Sequence, residues 1–297
     1  MNDFIIETNQ LCKSFHNQPA LRGLDLRVPA GSIFGFLGRN GAGKTTTIKT
    51  LMGLLRCDSG SAQVFGMPVV DADHSVEIRR RIGFVTEDKE LYPYMTVEGL
   101  IRFTRPFFPK WRHDLERRYL QMFELPPGRK IPDLSKGTRS KLMLLLAISR
   151  GAELLILDEP TDGLDPAATE DVLRELVSIA ASSGTTMFFS SHQLSEVELI
   201  ADYIGIVDHG RMVVSGSLDD MKVQYQRLQM VFADHVELPK HWVDGVESVR
   251  QEGRVVSILA SRNVDAIVDQ VRSIPGTVVE RFPVTLKEIL LEHVRSN

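Results

Sequence analysis

The sequence predicts an α/β fold, and three short, largely apolar strands carry this prediction. The first strand, residues 32–37, runs directly into a glycine-rich segment and then into a predicted helix. The second strand, residues 154–157, is apolar throughout and is followed by two acidic residues. The third, residues 186–190, is followed by a serine and a histidine. A strand without polar alternation, such as the second, is typical of a sheet buried on both faces.

The segment after the first strand has the residues of a phosphate-binding loop. It reads Gly38-Arg39-Asn40-Gly41-Ala42-Gly43-Lys44-Thr45, and Thr46 continues the predicted helix. Glycines allow turns in which successive N–H groups point at phosphate oxygens, and a helix start adds unpaired N–H groups. Lys44 supplies a cation for the outer phosphates, and the Thr45 hydroxyl is a ligand for Mg²⁺. Such a match arises by chance in roughly one chain of this length per hundred, so the loop predicts a nucleotide site.

Composition indicates one large domain, or one domain with an appendage, because the chain has 297 residues. The apolar fraction of 43% is sufficient for a substantial core. A net charge of −4 provides no general attraction to nucleic acid or to an anionic membrane surface. Two cysteines, Cys12 and Cys57, exclude a disulfide framework and a cysteine-rich metal site, which fits a reducing compartment.

No targeting or membrane-spanning segment is predicted. The N-terminus carries Asp3 where a signal peptide needs basic residues. The longest strongly apolar run, residues 142–148, is far too short to cross a bilayer. We therefore expect a soluble cytosolic chain, which another polypeptide must bring to any membrane at which it works.

The acidic pair after the second strand is predicted to act on the same nucleotide. An aspartate at a strand tip beside a phosphate-binding loop, here Asp158, is the usual partner of Mg²⁺. Glu159 is placed to accept a proton from water attacking the γ-phosphate, and such assistance is worth roughly 10²- to 10⁴-fold in rate. The alternative is a cap for the next helix, which is disfavoured because Pro160 and Gly163 delay that helix.

Four further positions have two interpretations each when they are taken alone. The flat ring of Phe15 suits stacking on a base, but a plain core position is favoured. Glu87 follows a short strand, where a carboxylate can hold Mg²⁺ or orient water, although a solvated turn is favoured. His192 can donate a hydrogen bond to a phosphate oxygen, whereas a lone histidine is more often a satisfied surface residue. Residues 134–138 either receive an anion or simply cap the apolar helix that follows.

The middle of the chain is predicted to be helical, from Tyr92 to about residue 150, after a polar loop at residues 67–80. Aromatic and basic residues alternate in it, which is compatible with a nucleic-acid surface. A helical subdomain with an aromatic core and solvated arginines is favoured instead. The aromatic residues concerned are Phe103, Phe107, Phe108 and Trp111.

The character of the sequence changes beyond residue 216, and we place a domain boundary after residue 220. Residues 221–297 are predicted to form a small α+β domain with short strands, a helix near 263–273 and a last helix from Thr285. Thr285 and Glu288 make a capping box for that last helix, whose apolar face includes Leu290 and Val294. No catalytic constellation is visible in this region.

In this order, the motifs resemble the nucleotide-binding subunit of ATP-binding cassette (ABC) proteins over roughly residues 4–220. Residues 38–45 match the Walker A loop, and residues 154–159 match the Walker B strand with its catalytic glutamate. Residues 134–138 look like the signature motif, and residues 163–165 look like the D-loop. His192, Phe15 and Glu87 resemble the switch histidine, the adenine-stacking aromatic and the Q-loop residue. The resemblance therefore favours the functional interpretation of these three residues and of Ser135. The resemblance implies a P-loop NTPase fold with a RecA-like core, an antiparallel β subdomain and a helical subdomain at about 90–150.

The resemblance also implies a mechanism that uses ATP and Mg²⁺, with Thr45, Glu87 and Asp158 at the metal. Two subunits, as a homodimer or a pseudo-dimer, would associate head to tail. Each ATP would then lie between one Walker A loop and the partner's Ser135, Gly137 and D-loop Asp165. Hydrolysis through Glu159 and His192, with Glu87 close by, would release the dimer.

An integral membrane permease is the implied partner, and no direct nucleic-acid partner is expected. The subunit would be cytoplasmic and peripheral on the inner face of the cell membrane. The permease would dock near Tyr92, Tyr94, Met95 and part of the aromatic helical segment. The single cassette and the C-terminal appendage look most like bacterial export-type cassettes.

Three departures from the family pattern bear on turnover. Lys136 and Thr138 replace a glycine and a glutamine of the signature, Glu87 replaces a glutamine, and Arg39 stands where proline is common. Lys136 is expected to place positive charge near the partner's nucleotide, and Glu87 to add negative charge beside the metal.

The sequence disfavours two classes of protein other than a transporter ATPase. Cassette ATPases of translation, repair or chromosome handling generally carry two cassettes or long coiled coils, and this sequence has neither. A GTPase switch would need an Asn-Lys-x-Asp motif, which is not present. The transporter interpretation is therefore favoured.

Overall fold

The computed structural model describes residues 3–88, 90–232, 238–239, 241–272 and 278–289. The chain divides into two compact units, Met1–Ser215 and Gly216–Asn297. The domain boundary that the sequence predicts after residue 220 stays a prediction.

The strands from the first residues to the end of the first unit are β1 (Phe4–Phe15), β2 (Gln18–Pro29), β3 (Ile33–Leu37), β4 (Ser59–Val64), β5 (Met67–Pro68), β6 (Ile82–Val85), β7 (Leu154–Asp158), β8 (Thr186–Ser191), β9 (Tyr203–Asp208) and β10 (Arg211–Ser217). The helices of this unit are α1 (Lys44–Leu51), α2 (Ala72–Arg81), α3 (Val97–Thr104), α4 (His113–Met122), α5 (Lys136–Ser149), α6 (Pro166–Ser183) and α7 (Leu194–Ile200). Short 3₁₀ turns lie at Arg105–Phe107 and Ile131–Asp133.

A six-stranded sheet in the order β10-β9-β3-β8-β7-β6 forms the centre of the first unit. Its strands β9, β3, β8, β7 and β6 run parallel, and β3 and β7 are buried at every position. The register pairs Leu37 with Ser191, and Asp158 with Ser190. The carboxyl ends of these strands therefore meet at one edge, where ligands bind in open parallel sheets. The predicted α/β fold is confirmed.

A second sheet, antiparallel and in the order β2-β1-β4-β5, shares a hydrophobic core with the first. The shared core includes Leu24 and Val28 of β2, Phe34 and Phe36 of β3, and Ile48 of α1. This packing fixes α1, and with it the preceding glycine loop, against both sheets.

Helix α2 contradicts the predicted loop at residues 67–80. Asp71 caps it by accepting hydrogen bonds from the backbone N–H groups of Asp73 (3.0 Å) and His74 (3.2 Å). Only Ser75 and Ile78 of the helix are buried, at a spacing of one turn. The sequence pattern did not predict this helix because Ile78 is the one apolar residue among its two buried positions, so the segment lacks an apolar face with helical spacing.

The helical region between β6 and β7 has an aromatic core, as predicted, but not from all the expected residues. Trp111 and Tyr119 are buried, and the Trp111 Nε1–H donates to the buried carboxylate of Glu116 at 2.6 Å. Phe103 and Phe107 are 44% and 63% exposed, so their assignment to the core is wrong. The buried residues of α3 are Val97, Leu100 and Ile101, and the 3₁₀ turn that contains Phe107 has no buried residue.

The second unit contains α8 (Leu218–Gln224), β11 (Gln226–Val231), β12 (Val246–Glu252), β13 (Val255–Ala260), α9 (Val264–Arg272) and β14 (Val278–Pro283). Its sheet has the order β12-β13-β11-β14, and its core includes Met230, Ile258 and Ile267. The predicted capping box is present: the Thr285 N–H donates to Glu288 at 2.9 Å, and the Glu288 N–H donates to Thr285 Oγ1 at 3.3 Å. Leu290 and Val294 lie outside the described residues.

Candidate nucleotide site

The glycine loop joins β3 to α1 at the carboxyl edge of the central sheet. Gly43 has a φ of 111°, which strains any residue with a side chain, and a Cβ there would lie 2.9 Å from the Ala20 carbonyl oxygen. It stands at the N-cap of α1 without any side-chain cap. The first N–H groups of α1 thus remain free for an anion, which the helix dipole also favours.

Lys44, the first residue of α1, holds an ammonium group at the mouth of the loop. Its Nζ donates to the Gly38 carbonyl oxygen at 2.8 Å and pairs with Glu159 Oε1 at 3.3 Å. The side chain is only 7% exposed, so its charge acts in a poorly solvated environment. Such a buried cation is a strong site for phosphate.

The remaining residues of the loop are placed around this cation. Arg39 and Asn40 are exposed, and the Ala42 N–H closes a turn on the Arg39 carbonyl oxygen at 3.1 Å. Ala42 itself is buried, whereas Thr45 and Thr46 are half-buried on the first turn of α1. The predicted loop residues therefore form one continuous connection between β3 and the first turn of α1.

Asp158, the last residue of β7, is 1% exposed and lies beside Thr45 and Glu87. Burial raises the pKa of the Asp158 carboxyl group, and the nearby charges of Glu87 and Glu159 raise it further. Hydrogen bonds from Ser190 and Thr45 oppose this rise. The Thr45 hydroxyl also lies 3.3 Å from Glu87 Oε2, so one hydroxyl and two carboxylates converge.

This set of hard oxygen atoms suits Mg²⁺, which binds through one or two carboxylates together with phosphate and water oxygens. In the described part of the chain, no group of three or more His, Cys, Asp or Glu residues could hold a metal by itself. The donor set fits a metal that is shared with a bound nucleotide.

Glu159 follows directly, and both its backbone and its carboxylate are restrained. Its φ of 48° lies in the left-handed region, where strain is typical of functional positions. The carboxylate is held between two groups, with His192 Nδ1 at 2.9 Å from Oε2 and the Lys44 ammonium at 3.3 Å from Oε1. It is therefore aimed at the mouth of the loop rather than into solvent.

Ser190 is a site residue that the sequence interpretation missed. Its buried hydroxyl donates to Asp158 Oδ1 at 2.5 Å and accepts from the Glu159 N–H at 3.1 Å. A polar residue at the end of an otherwise apolar strand was the available signal.

The signature and D-loop residues form a second cluster in the same chain. Ser135 caps α5 by accepting from the Thr138 N–H at 3.1 Å, and a Cβ on Gly137 would lie 2.8 Å from the Gly163 carbonyl oxygen. Asp165 caps α6 by accepting from the Ala168 N–H at 2.9 Å, and this bond lowers its pKa.

Lys136 forms an ion pair within the chain, and its expected placement near a partner's nucleotide stays a prediction. Its Nζ pairs with Asp162 Oδ2 at 2.6 Å, and its side chain passes over Gly163. The lysine therefore binds the start of α5 to the segment between β7 and α6, and much of its charge is compensated within the chain.

Phe15 lies at the end of β1 with 44% of its surface exposed, so the plain core interpretation is wrong. The Lys13 ammonium lies 5.7 Å from its ring centroid. An exposed, flat ring of this kind is available to stack on a planar ligand.

Four exposed aromatic side chains form a separate patch, called here the aromatic surface: Tyr92, Tyr94, Phe103 and Phe107. Their rings are in contact, with centroids 5.8 Å apart for Tyr92–Tyr94, 5.6 Å for Tyr92–Phe103 and 5.5 Å for Phe103–Phe107. Large contiguous apolar patches of this kind mark interaction sites.

No helix in the described residues combines the length and apolar character needed to cross a membrane.

Comparison with known proteins places these features in one family. The family model described as "ABC transporter" matches residues 21–162. The bacitracin transport ATP-binding protein BcrA of Bacillus licheniformis is 33% identical over 267 residues, which cover 87% of each chain. The daunorubicin/doxorubicin resistance ATP-binding protein DrrA of Streptomyces peucetius is 37% identical over 222 residues, or 73% of this chain and 66% of that protein.

The fold is similar to that of a solved ATP-binding subunit of an ABC transporter. The two structures superpose with a TM-score of 0.66 at 29% sequence identity. The match covers 74% of this chain and 92% of that one.

Proposed function

We propose that this chain drives a separate integral membrane permease through ATP-dependent dimerisation. The chain belongs to the ABC transporter family and is an ATP-binding, ATP-hydrolysing subunit. The observation that carries the proposal is the joint placement of Lys44, Asp158, Glu159 and His192 at one edge of the sheet. The same chain also exposes the aromatic surface. The subunit would be cytoplasmic and would lie on the inner face of the cell membrane.

The residues of the site take distinct roles in this proposal. The loop from Gly38 to Thr46 and the Lys44 ammonium bind the phosphates, and Phe15 stacks on the adenine. Glu159 accepts the proton of the attacking water, and His192 orients that carboxylate through the 2.9 Å contact with Oε2. Hydrolysis by a positioned base is consistent with the burial of Glu159.

The contacts of the second cluster fit a head-to-tail dimer, either a homodimer or a pseudo-dimer. A Cβ on Gly137 would meet Gly163 and Leu164, and Ser135 caps the helix that contains Gly137. In the proposed dimer they contact the partner's ATP, together with Asp165. Export is the proposed direction, because BcrA is named as a transport protein and DrrA as a resistance protein.

Mg²⁺ is proposed to bind beside the β- and γ-phosphates, held by Thr45, Glu87 and Asp158. The metal would supply charge neutralisation for the phosphates. Thr45 and Glu87 are already within 3.3 Å of each other, and Ser190 fixes the Asp158 carboxylate at 2.5 Å.

Replacing Glu87 by glutamine tests this metal site. Glu87→Gln exchanges a charged ligand for a neutral amide, so the Mg²⁺ concentration that gives half-maximal ATP hydrolysis should rise roughly tenfold, the lower end for groups that tune a metal site. Asp88→Asn is the matched control, since it removes the same charge from the adjacent exposed residue. An equal rise in both variants would show a general charge effect, and no rise for Glu87→Gln would remove Glu87 from the site.

The aromatic surface is proposed as the docking site of the permease. Exposed rings in mutual contact give a large apolar area for the insertion of a partner helix, and aromatic residues are enriched at interfaces. If the aromatic surface serves for docking, the isolated subunit does not need it for ATP hydrolysis.

The experiment expresses the Glu159→Gln variant in the native cell, solubilises membranes in mild detergent with ATP, and identifies what co-purifies. A polytopic membrane protein in near-equal amount supports the proposal. Adding Tyr92→Ser and Phe103→Ser should remove that protein, whereas adding Val223→Ser, which alters an exposed apolar residue of the second unit, should not. Recovery of ribosomes, DNA or soluble proteins alone would overturn the transporter role of this chain.

A further inference from the structure

Ser190 joins the two acidic residues of the site through one side chain. It lies opposite Asp158 in the parallel register of β7 and β8, and it is 0% exposed. Its hydroxyl donates to Asp158 Oδ1 at 2.5 Å and accepts from the Glu159 N–H at 3.1 Å. A hydroxyl has one donor hydrogen and two acceptor lone pairs, so the same group can donate to the Asp158 carboxylate and accept from the Glu159 N–H.

The bond to Glu159 is important because of the backbone at that residue. The parallel pairing of β7 with β8 extends to Asp158, so Glu159 is the first residue beyond it. Its φ of 48° is unfavourable for a residue with a side chain and persists only when the surroundings enforce it. The Ser190 oxygen gives the Glu159 N–H a partner in this conformation, which turns the carboxylate toward Lys44 and His192.

The bond to Asp158 restrains the second carboxylate. Asp158 is 1% exposed, and a buried carboxylate needs hydrogen bonds in order to stay charged. Ser190 occupies its Oδ1 atom, and Thr45 also bonds to the carboxylate. The orientation of Asp158 is thereby tied to the position of β8.

Another buried serine shows that such bonds are not a general requirement of this fold. Ser149, at the end of α5, is also 0% exposed, and among the described residues its Oγ has no hydrogen-bond partner. A serine can therefore fill a buried position in this chain for its size alone. The two bonds of Ser190 require a different explanation.

We propose that Ser190 is a positioning residue that aims Asp158 and Glu159 together at the nucleotide. This inference rests on the proposed roles of those two residues in metal binding and proton transfer. Ser190 does not contact the nucleotide itself. It acts by keeping the two carboxylates in one arrangement, so its loss should disturb turnover and metal dependence far more than ATP affinity.

Ser190→Ala removes both hydrogen bonds and tests the proposal. The kcat for ATP hydrolysis should fall roughly 10- to 100-fold, the range for displaced catalytic or metal-supporting groups. The KM for ATP should stay within about threefold of wild type, since the glycine loop and Lys44 are untouched. In equilibrium titrations with a fluorescent ATP analogue, half-maximal binding should require roughly tenfold more Mg²⁺.

Two further variants separate positioning from packing. Ser190→Thr keeps the hydroxyl and should retain a kcat within about threefold of wild type. Ser149→Ala removes an equally buried hydroxyl without known bonds, and should leave kcat and Mg²⁺ dependence unchanged. If Ser190→Ala does not fold, Ser190→Cys, which forms only weak hydrogen bonds, must show the same pattern.

The result that overturns the inference is a Ser190→Ala or Ser190→Cys protein with kcat and Mg²⁺ dependence within twofold of wild type. Glu159→Gln, measured in parallel, distinguishes a failure of the role of Ser190 from a failure of the proposed function of Glu159. If Glu159→Gln is inactive while Ser190→Ala is normal, only the role of Ser190 fails. If Glu159→Gln remains fully active, the proposed function of Glu159 fails first.

Discussion

The Glu159→Gln variant should lose steady-state ATP hydrolysis by roughly 10²- to 10⁴-fold, the usual contribution of a positioned general base. Glutamine has nearly the same shape, so it can occupy the space between Lys44 and His192. An amide cannot accept the proton of the attacking water. ATP binding should persist, because the glycine loop and Lys44 are unchanged.

A consequence of blocked hydrolysis is that ATP-bound dimers should accumulate. Size-exclusion chromatography with and without ATP, together with a phosphate-release assay, measures both effects. Glu252→Gln is the matched control, since it makes the same change at an exposed position of the second unit. A Glu159→Gln protein that hydrolyses ATP at more than half the wild-type rate would remove Glu159 from the role of base.

Lys44→Met should abolish detectable ATP binding at ordinary nucleotide concentrations. The ammonium is buried, and a charge-assisted hydrogen bond contributes roughly 1.5–3 kcal/mol, so the loss of one phosphate contact corresponds to about 10- to 100-fold in affinity. The effect should be larger here, because removing the ammonium also takes a compensating charge from the Glu159 carboxylate, 3.3 Å away, beside the phosphates. Methionine keeps the length of the side chain and limits the packing change.

Lys49→Met provides the control for the lysine variant, since Lys49 lies on the last turn of the same helix and is exposed. Lys44→Arg should not rescue binding, because the planar guanidinium does not match a position shaped for a compact ammonium group. Isothermal titration with ATP and Mg²⁺ measures the affinities. If Lys44→Met binds ATP within threefold of wild type, the loop does not hold the phosphates in the proposed way.

Most of the α/β core could be predicted from local patterns in the sequence. Residues 154–157 are all apolar, and Asp158 follows them. Strand β7 coincides with this segment because an uninterrupted apolar run is stable as a strand that is buried on both faces. The loop from Gly38 to Thr45 was equally clear, since glycines at positive φ and an adjacent helix start are local requirements. Helix α2 was missed because burial of only Ser75 and Ile78 gives almost no periodic signal.

The exposure of individual aromatic residues could not be predicted. Phe103 and Phe107 are of a residue type that is usually buried, yet they are 44% and 63% exposed. Burial depends on what packs against a side chain from distant parts of the chain, and one sequence does not contain that information directly. The same is true of the ion pair between Lys136 and Asp162, at 2.6 Å, which joins two segments that are not adjacent in sequence.

By itself the sequence determined the family, the nucleotide chemistry and the strands that carry it, because these depend on residue types at short spacing. Only the tertiary structure decided how the carboxylates of Asp158 and Glu159 are held, because Ser190 is more than thirty residues away and meets them through the register of β7 and β8. The sequence shows a serine at the end of a strand. Parallel pairing places that serine within 2.5 Å of one acid and 3.1 Å of the backbone of the next.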